Sequence, residues 1–388
     1  MTEQKFTNTL YTNDNLFVLY GMNSNFVDLI YLDPPFNSKR FYAAPIGSKA
    51  AGASFKDMWT WLDVNEAYLD TLAGKYPVLA RYIGDVGKIH SKAMMAYLTY
   101  MAQRIIEMHR VLKDTGSLYL HCDQTASHYL KIVLDEIFGK NNFITEIIWY
   151  YSWGSRTAKR WNRKHDVILN YSKTDKFIFN VNDVLDERIL KEASKKRLEY
   201  KGAMIMKNAY TKANSNFILP ADVWSIPTIN AMSKERTGYP TQKPLALLHR
   251  IIKASSNEGD IVFDPFCGCA TTCVAAQQLG RKWIGIDIEK QAVGILIERL
   301  SDDAGLFKDF INTDTIPQRT DVTVEPPSAS VRERLYKEQN GLCNACATQF
   351  DMRNLEIDHI IPKSKGGGDY YENYQLLCGS CNRIKGDR

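Results

Sequence analysis

Residues 261 to 268 read Ile-Val-Phe-Asp-Pro-Phe-Cys-Gly, and this short stretch decides the fold of the chain. Its first three residues predict a buried strand, Gly268 predicts a turn, and Thr272 to Leu279 has the apolar spacing of a helix. A second strand is predicted from Trp283 to Ile286 and is followed by Asp287. A strand, a helix and a strand in succession are typical of a mostly parallel sheet.

The sequence upstream continues this alternation. Strands are predicted at residues 27 to 36, Ser117 to His121, residues 143 to 151, Val167 to Tyr171 and Lys176 to Asn180, of which the last two could form a hairpin. Helices are predicted at Met94 to Leu112, residues 129 to 138 and Leu245 to Ala254. The chain is therefore expected to be an α/β protein with a mostly parallel, doubly wound sheet.

The composition is that of an ordinary globular protein, with 388 residues, 45% hydrophobic residues, 24% charged residues and a formal net charge of +5. This length suggests two or three domains. The amino terminus is polar and lacks the apolar core of a signal peptide, and no run approaches the ~18 apolar residues of a membrane span. We therefore expect a cytoplasmic protein without a membrane partner.

Positive charge is concentrated in one part of the chain. Between residues 151 and 220 there are 15 lysines and arginines and only 7 acidic residues. Five of the basic residues lie within nine positions and beside two tryptophans: Arg156, Lys159, Arg160, Arg163 and Lys164, with Trp153 and Trp161. Basic side chains mixed with aromatic ones suit a phosphate backbone and unstacked bases, although a solvated loop would have the same composition.

A second motif, Asp33-Pro34-Pro35-Phe36, ends the first predicted strand. Because a residue before proline avoids the helical region, two successive prolines make a stiff turn that aims the Asp33 carboxylate and the Pro34 carbonyl at one point. Two fixed acceptors favour the positive charge that develops when the exocyclic amine of adenine or cytosine attacks a methyl group. Phe36 offers a face on which the base can stack, once the base has left the duplex.

The turn after the strand at 261 to 263 suits S-adenosylmethionine as the methyl donor. Gly268 lets a ligand approach the backbone closely, and Asp287 can accept hydrogen bonds from ribose hydroxyls. Lys243, just upstream, could pair with a carboxylate of the ligand. The G-x-G-x-x-G fingerprint of dinucleotide binding is absent from the sequence.

Residues 1 to about 311 resemble the amino-group DNA methyltransferases of the beta arrangement, in which the Asp-Pro-Pro-Phe/Tyr motif precedes the cofactor motif. The resemblance implies a Rossmann-like S-adenosylmethionine-dependent fold with permuted motif order, acting on double-stranded DNA with a flipped target base, and it leaves a homodimer open. It implies catalytic roles for Asp33, Pro34 and Phe36, and target recognition at about 181 to 238. The cofactor contacts it implies are Asp14, Lys243, Asp264, Phe266, Gly268, Thr271 and Asp287.

Two points stay open within this resemblance. The family usually has a second glycine where this chain has Ala270, and because alanine disfavours positive φ, cofactor binding could be weaker. The target amine could belong to adenine or cytosine. Enzymes that methylate N4 of cytosine usually carry serine in place of Asp33, which favours N6 of adenine. Ring-carbon methylation is disfavoured because it needs a cysteine nucleophile, and the chain has no Pro-Cys dipeptide.

Four of the eight cysteines form two C-x-x-C pairs near the end of the sequence, Cys343 with Cys346 and Cys378 with Cys381, with 31 residues between the pairs. This spacing predicts a structural zinc site with four sulfur ligands, which would stabilise a segment too short for a large core. A disulfide framework is not expected in a cytoplasmic chain.

Residues 331 to 388 also contain Asp358, His359, Asn373 and Asn382, and thereby resemble the HNH endonuclease family with its small ββα-metal fold. The resemblance implies that Asp358 and Asn382 ligate one divalent ion, expected to be Mg²⁺. It also implies that His359 is the general base for water and that Asn373 orients the histidine loop. Oxygen ligands suit a hard cation, and a neutral imidazole can accept a proton near neutral pH.

These features together predict a site-specific DNA methyltransferase at residues 1 to 311, a linker at 312 to 330 and an HNH nuclease at 331 to 388, as would suit restriction-modification. The linker is predicted because prolines and small polar residues concentrate there. Two alternatives stay open. The tail could bind DNA without cutting it, or the whole chain could be a DNA-binding factor without catalytic activity.

Overall fold

A computed structural model of the chain describes residues 8–37, 40–44, 48, 50, 54–57, 72–73, 75–152, 157–187, 217–289, 291–302 and 310–386. Its α-helices are α1 (Asn15–Gly21), α2 (Pro77–Ile89), α3 (Lys92–Val111), α4 (Ser127–Phe138), α5 (Leu245–Ser255), α6 (Thr271–Gln278), α7 (Gln291–Asp302), α8 (Ala329–Glu338) and α9 (Gly379–Lys385). No helix among the described residues is long and apolar enough to cross a membrane.

The strands of the N-terminal part are β1 (Thr9–Thr12), β2 (Val27–Leu32), β3 (Arg40–Ala43), β4 (Ser54–Asp57), β5 (Leu112–Cys122), β6 (Phe143–Tyr150), β7 (His165–Ser172), β8 (Asp186–Glu187), β9 (Phe217–Ile218), β10 (Val223–Ser225), β11 (Ile261–Asp264), β12 (Lys282–Asp287) and β13 (Ile311–Thr313). The tail, residues 329–386, adds β14 (Leu355–His359) and β15 (Tyr374–Cys378). The predicted target-recognition region lies partly outside the described residues, which include only 181–187 and 217–238 of it.

A nine-stranded sheet forms the centre of the N-terminal part, in the order β10-β6-β7-β5-β2-β11-β12-β1-β13. All neighbouring strands are parallel except the two pairs that β7 makes with β5 and β6. The predicted mostly parallel sheet is therefore confirmed. The strand predicted at Lys176–Asn180 is wrong, because both edges of β7 are already paired and the hairpin partner of β7 is the preceding β6.

Helices cover both faces of this sheet, as a doubly wound fold requires. Alternation along β2 places Ile30 and Leu32 in a core with residues of α1 to α4. It places Leu29 and Tyr31 in a second core with residues of α5 and α6. Because both faces of β2 are buried, the strand reads as a nearly continuous apolar run.

The common direction of the strands determines where a site can form. Asp33 directly follows β2, Asp264 is the last residue of β11, and Asp287 is the last residue of β12. Since β2, β11 and β12 are parallel neighbours, these three carboxylates reach the same edge of the sheet. Ligands of open α/β sheets bind at this carboxyl edge.

The tail has a small core of its own. β14 and β15 pair antiparallel, and Leu355, Leu376 and Leu377 of this pair pack with Val331 and Leu335 of α8. Helix α9 follows β15 directly and packs against both strands. Strands β14 and β15 together with helix α9 form the two strands and one helix that the resemblance to HNH endonucleases implies.

The predicted linker between the N-terminal part and the tail makes more hydrogen bonds than its composition predicts. Asn23, in the loop after α1, exchanges two hydrogen bonds with Thr320, of 2.9 and 2.8 Å. At the other end, the Glu325 amide donates to the Asp369 carbonyl at 2.8 Å, and the Tyr374 hydroxyl donates to the Glu325 carbonyl at 2.9 Å. Polar side chains hold this segment against both parts.

We propose that the N-terminal part folds without the tail and predict that truncation after Pro327 leaves it intact. The sheet is complete at Thr313, so the fragment should unfold in one cooperative thermal transition. Truncation after Phe310 is the matched control, since it also removes β13 and its pairing with β1. The shorter fragment should have a midpoint lower by about 5 °C or more. An insoluble 1–327 fragment would show that the domain boundary is misplaced.

Candidate active sites

A cavity of about 590 Å³ opens at the carboxyl edge of the sheet. Cavities of about 300–1,000 Å³ are typical of small-molecule sites. This cavity is lined by all ten residues that the sequence assigns to methyl transfer: Asp14, Asp33, Pro34, Phe36, Lys243, Asp264, Phe266, Gly268, Thr271 and Asp287. Because the parallel strands end at one edge, segments more than 200 residues apart meet here.

The two carboxylate oxygens of Asp33 have different surroundings in the cavity. Its Oδ2 accepts a hydrogen bond from Lys243 Nζ, and its Oδ1 is buried and has no hydrogen-bond partner among the described residues. A buried acceptor that stays unpaired costs about 1–3 kcal/mol, so the site is stabilised when a ligand supplies a donor. Lys243 was expected to pair with a carboxylate of the cofactor, but the structure pairs it with Asp33 of the chain itself.

An aromatic and polar cluster lies next to Asp33. The Phe36 ring stacks on His121, with centroids 6.0 Å apart. His121 in turn contacts the Tyr31 hydroxyl through Nδ1 at 3.0 Å and Asp166 through Nε2 at 3.3 Å. The Tyr151 hydroxyl donates to the other Asp166 oxygen at 3.0 Å. This network holds Phe36 in a fixed orientation and adds Tyr31, Tyr151 and Asp166 to the wall of the cavity.

The turn after β11 is held by its own acidic residues. Asp264 accepts from the Thr272 hydroxyl at 2.5 Å and the Phe266 amide at 3.0 Å, so it braces the turn. Asp287 accepts from the Gly268 amide at 2.8 Å. Gly268 has φ +51°, and a Cβ added there would lie 3.0 Å from the Tyr239 ring. Glycine is therefore favoured at this position, because a side chain would be strained and would press on Tyr239.

Ala270 stands where the family usually has glycine, and it adopts the left-handed conformation, with φ +57° and ψ +34°. This conformation is strained for alanine, and it stands directly before α6. The next residue, Thr271, accepts a hydrogen bond from Arg299 at 2.9 Å. The turn therefore keeps the glycine-type geometry at the cost of local strain.

Asp14 connects the cavity to helix α1. It caps α1 by accepting from the Leu16 amide at 2.8 Å, and it pairs with Arg104 of α3 at 2.9 Å. Arg104 also donates to Asn15 Oδ1, and Asn15 donates to the Pro265 carbonyl at 2.8 Å. One chain of polar contacts thus ties α1, α3 and the turn after β11 together.

The four tail cysteines form a compact cluster. The Sγ atoms of Cys343, Cys346, Cys378 and Cys381 all lie within 4.8 Å of one another. The Cys378 amide also donates to Cys343 Sγ at 3.2 Å, as is usual where backbone stabilises a thiolate. The geometry is compatible with a metal ion held by four sulfurs.

The residues expected to bind a catalytic ion lie where β14 meets α9. Asp358 Oδ2 accepts from Gln375 at 2.8 Å and from Lys385 at 2.5 Å. Asn382 Nδ2 donates to Glu356 at 2.6 Å. In the described part of the chain, these contacts leave Asp358 Oδ1 and Asn382 Oδ1 without a hydrogen bond from protein. Both free atoms are oxygens, the ligand type that a hard cation prefers, and a cation bound there would share Asp358 with the Lys385 ammonium.

His359 is held by the carboxylate of Asp369, which was not predicted from the sequence. Its Nε2 lies 2.9 Å from Asp369 Oδ1, and its ring packs edge-on against Tyr374. Hydrogen bonds from Lys363 and then from His359 lower the pKa of Asp369 to about 2. An ionised Asp369 favours the tautomer with hydrogen on Nε2, so Nδ1 is left to accept a proton.

Asn373 holds the loop that follows His359. Its side chain accepts from the Ile361 amide at 2.8 Å and donates to the carbonyls of Ile361 and Gly368 at 3.0 and 3.1 Å. The residue is almost fully buried. These contacts agree with the expected role in orienting the histidine loop.

Comparison with known families agrees with this layout. A family model described as DNA methylase, for N6 and N4 methyltransferases, matches residues 27–298. The chain is a member of this DNA methylase family. A second family model, described as HNH endonuclease, matches residues 343–388. The methylase therefore carries an HNH domain at the end of its sequence.

Individual relatives of the methylase are bacterial. It is 34% identical over 214 residues to the type II methyltransferase M.HpaI of Haemophilus parainfluenzae, a match that spans 54% of this chain and 62% of that relative. It is 30% identical over 295 residues to the DNA adenine methyltransferase YhdJ of Escherichia coli K12, across 75% of this chain and 82% of the relative. The solved M1.HpyAVI–SAM complex is 19% identical, with a TM-score of 0.43, across 75% of this chain and 98% of that one.

Several site residues of the methylase were missed by sequence reasoning. His121, Tyr151 and Asp166 lie at or beside the ends of β5, β6 and β7. Polar residues at strand ends on the carboxyl edge are the signal that could have found them. Asp369 and Lys385 gave no comparable signal, because their partners are set by the packing of the tail.

Burial raises the pKa of Asp287 to about 6. Hydrogen bonds from ribose hydroxyls favour the ionised carboxylate, so binding of S-adenosylmethionine should be strongest above pH 6 and weaken below it. At pH 5 about one carboxylate in ten is ionised, and affinity should fall about tenfold. Titration calorimetry between pH 5 and 8 measures this.

Asp287→Asn is the matched control, and its affinity should be lower and nearly independent of pH. Burial also raises the pKa of Asp264, to about 7. If the pH dependence persists in the Asp287→Asn variant, it originates at Asp264 rather than at the ribose contact.

Proposed function

We propose that the methylase transfers a methyl group from S-adenosylmethionine to N6 of adenine in double-stranded DNA, and that its tail nicks DNA with the help of Mg²⁺. The proposed methyl transfer rests on the surroundings of the Asp33 carboxylate. One of its oxygens is paired with Lys243 and the other is buried without a donor, inside a cavity of small-molecule size. The exocyclic amine of a flipped base would supply that donor.

The roles of the residues follow from the chemistry of an aromatic amine. When bound, the cofactor supplies an electrophilic methyl group. Asp33 Oδ1 accepts an amine N–H and stabilises the charge that develops on nitrogen, while the Pro34 carbonyl is the second acceptor. Phe36, braced by His121, stacks on the base and fixes its orientation. The proton released from nitrogen leaves through Asp33 or to water.

The cofactor has a suitable site beside these residues. Gly268 leaves space at the turn that a side chain would fill, and Asp287 is positioned to accept ribose hydroxyls. Asp14, paired with Arg104, also lines the cavity. The set of an acidic strand end, a glycine turn and a buried unpaired acceptor fits a nucleoside that carries a methyl group.

Adenine is favoured over cytosine by two observations. The catalytic motif has aspartate at position 33, where enzymes acting on N4 of cytosine usually have serine. One relative, which matches over 75% of this chain, is described as a DNA adenine methyltransferase. N4 of cytosine is the alternative, because the same acceptors would serve that amine.

The tail has the groups required for cutting a phosphodiester. We propose that Cys343, Cys346, Cys378 and Cys381 hold a structural Zn²⁺, and that Asp358 and Asn382 hold Mg²⁺ against the phosphate. His359 accepts a proton from the attacking water through Nδ1, with Asp369 holding Nε2. A tail that binds DNA without cutting it is the alternative, since the basic residues Lys363, Lys365, Arg383 and Arg388 would serve either role.

Asp33→Ala should abolish methyl transfer while leaving cofactor affinity within about threefold, because Asp33 touches the amine rather than the cofactor. The expected loss in rate is at least about 100-fold. Tritiated methyl incorporation and calorimetry on the same sample measure the two quantities. Asp85→Ala, which breaks an exposed pair with Lys88, is the control and should behave as wild type. Parallel loss of rate and cofactor affinity would contradict the assignment.

His359→Ala should remove nicking of supercoiled plasmid in Mg²⁺ or Mn²⁺ and leave methylation unchanged. The reason is that the proton acceptor is lost while the cysteine cluster stays intact. Cys378→Ser is the contrasting variant, since it should release zinc and unfold the tail. If zinc-loaded wild-type protein nicks neither methylated nor unmethylated plasmid, the nuclease proposal fails and the binding alternative replaces it.

A further inference from the structure

The loop between β6 and β7 rises from the rim of the methyl-transfer cavity. It spans residues 151–164, of which the structure describes 151–152 and 157–164. β6 runs in the direction of the parallel strands, so its end at Tyr150 lies at the carboxyl edge. Tyr151 begins the loop, Asp166 follows it, and both residues line the cavity. The loop therefore borders the cavity.

The tip of the loop displays a tryptophan to solvent. Trp161 is 96% exposed. The tip is nevertheless a compact turn, because Asn162 accepts from the Thr157 amide at 2.7 Å and donates to its carbonyl at 3.3 Å. Lys164 ties the base of the loop to the Ser152 carbonyl at 2.8 Å. The indole is therefore held outward on an ordered turn, where its face is free to stack on a base.

The residues around Trp161 carry only positive charge. Lys159, Arg160 and Arg163 are exposed, and none of them forms an ion pair with an acidic residue in the described part of the chain. Unpaired cations flanking an exposed aromatic ring complement a polyanion whose interior is made of stacked rings. A protein partner would have to present both a strongly acidic surface and an open aromatic slot.

We propose that Trp161 enters the DNA duplex at the target base pair and occupies the space vacated by the flipped base. Lys159, Arg160 and Arg163 hold the phosphates on either side. This inference rests on the proposed function, since it assumes that the target base moves into the Asp33 cavity. The loop borders that cavity through Tyr151 and Asp166, so its exposed tip is on the side of the molecule that a flipped base would enter.

An inserted side chain would lower the free energy needed to flip the target base out of the duplex. Removing a base from the stack breaks its pairing and leaves a gap with two unstacked neighbours. An inserted indole restores stacking on both sides of that gap, because every base offers a face on which an aromatic ring can stack. Trp161 should therefore matter when the target base is paired, and much less when it is already unpaired.

The test begins by mapping the sequence that the wild-type protein methylates. Two short duplexes with that site are then prepared, one fully paired and one with an abasic site opposite the target base. Single-turnover methyl transfer and DNA affinity are measured for wild type, Trp161→Ala and Trp161→Phe. Ile89→Ala is the matched control, because Ile89 is an exposed apolar residue at the end of α2. Since Trp161 makes no buried contacts, its replacement should not impair folding.

Trp161→Ala should be slower on the paired duplex by about 10- to 100-fold. It should recover to within about threefold of wild type on the duplex with the unpaired target. Trp161→Phe should retain most of the rate on both duplexes, and Ile89→Ala should match wild type. Replacing Lys159, Arg160 and Arg163 by glutamine should weaken binding to both duplexes and reduce the slope of log affinity against log salt by about 2–3.

Wild-type rates for Trp161→Ala on the paired duplex would overturn the proposal. An equal loss on both duplexes would also overturn it, because Trp161 would then serve general DNA binding. A change in the oligomeric state of Trp161→Ala with unaltered methylation would assign the tip to self-association instead. If the wild-type protein methylates neither duplex, the proposed function itself has failed, a result distinguishable from the other outcomes.

Discussion

The ion pair between Asp33 and Lys243 is the contact on which the methyl-transfer site depends. It joins two positions 210 residues apart, and both side chains are largely buried. A buried carboxylate without a partner would be costly, so the pair can form only if the end of β2 and the segment before α5 are held at one edge of the sheet. The parallel order of β2, β11 and β12 provides that placement. Lys243 occupies one oxygen of Asp33, and the other is left for the substrate.

The two sites of the protein share a helix. Asp14 at the start of α1 lines the cofactor cavity. Further along the same helix, the Phe17 ring lies 5.3 Å from Lys365 Nζ, and a Cβ on Gly366 would come within 2.9 Å of the Phe17 carbonyl. Gly366 belongs to the loop that connects His359 to Asp369. The nuclease loop is therefore packed on the element that closes the methylase cavity, and the joining segment adds polar contacts to both sides.

Much of the fold and of the cavity could be predicted from the sequence, because the signals are local. The strand, turn and helix around Gly268 follow from apolar runs and a glycine, and the ten cavity residues were assigned from short motifs and from the family resemblance that those motifs carry. The partners of those residues could not be predicted. The pairing of Lys243 with Asp33, for example, depends on the order of the strands in the sheet, which a sequence motif does not show. The false strand at Lys176–Asn180 has a similar cause, since β7 finds its partners in β5 and β6 rather than in the next apolar run.

The central claim is that Asp33 and its turn direct a methyl group to an exocyclic amine. The most direct test is mass spectrometry of nucleosides from DNA incubated with the purified protein and isotopically labelled S-adenosylmethionine. The account predicts labelled N6-methyldeoxyadenosine. Labelled N4-methyldeoxycytidine would support the assigned site but show that the target base is cytosine. Label found only on the ring carbon of cytosine, or on no nucleoside although the cofactor is bound, would contradict the account.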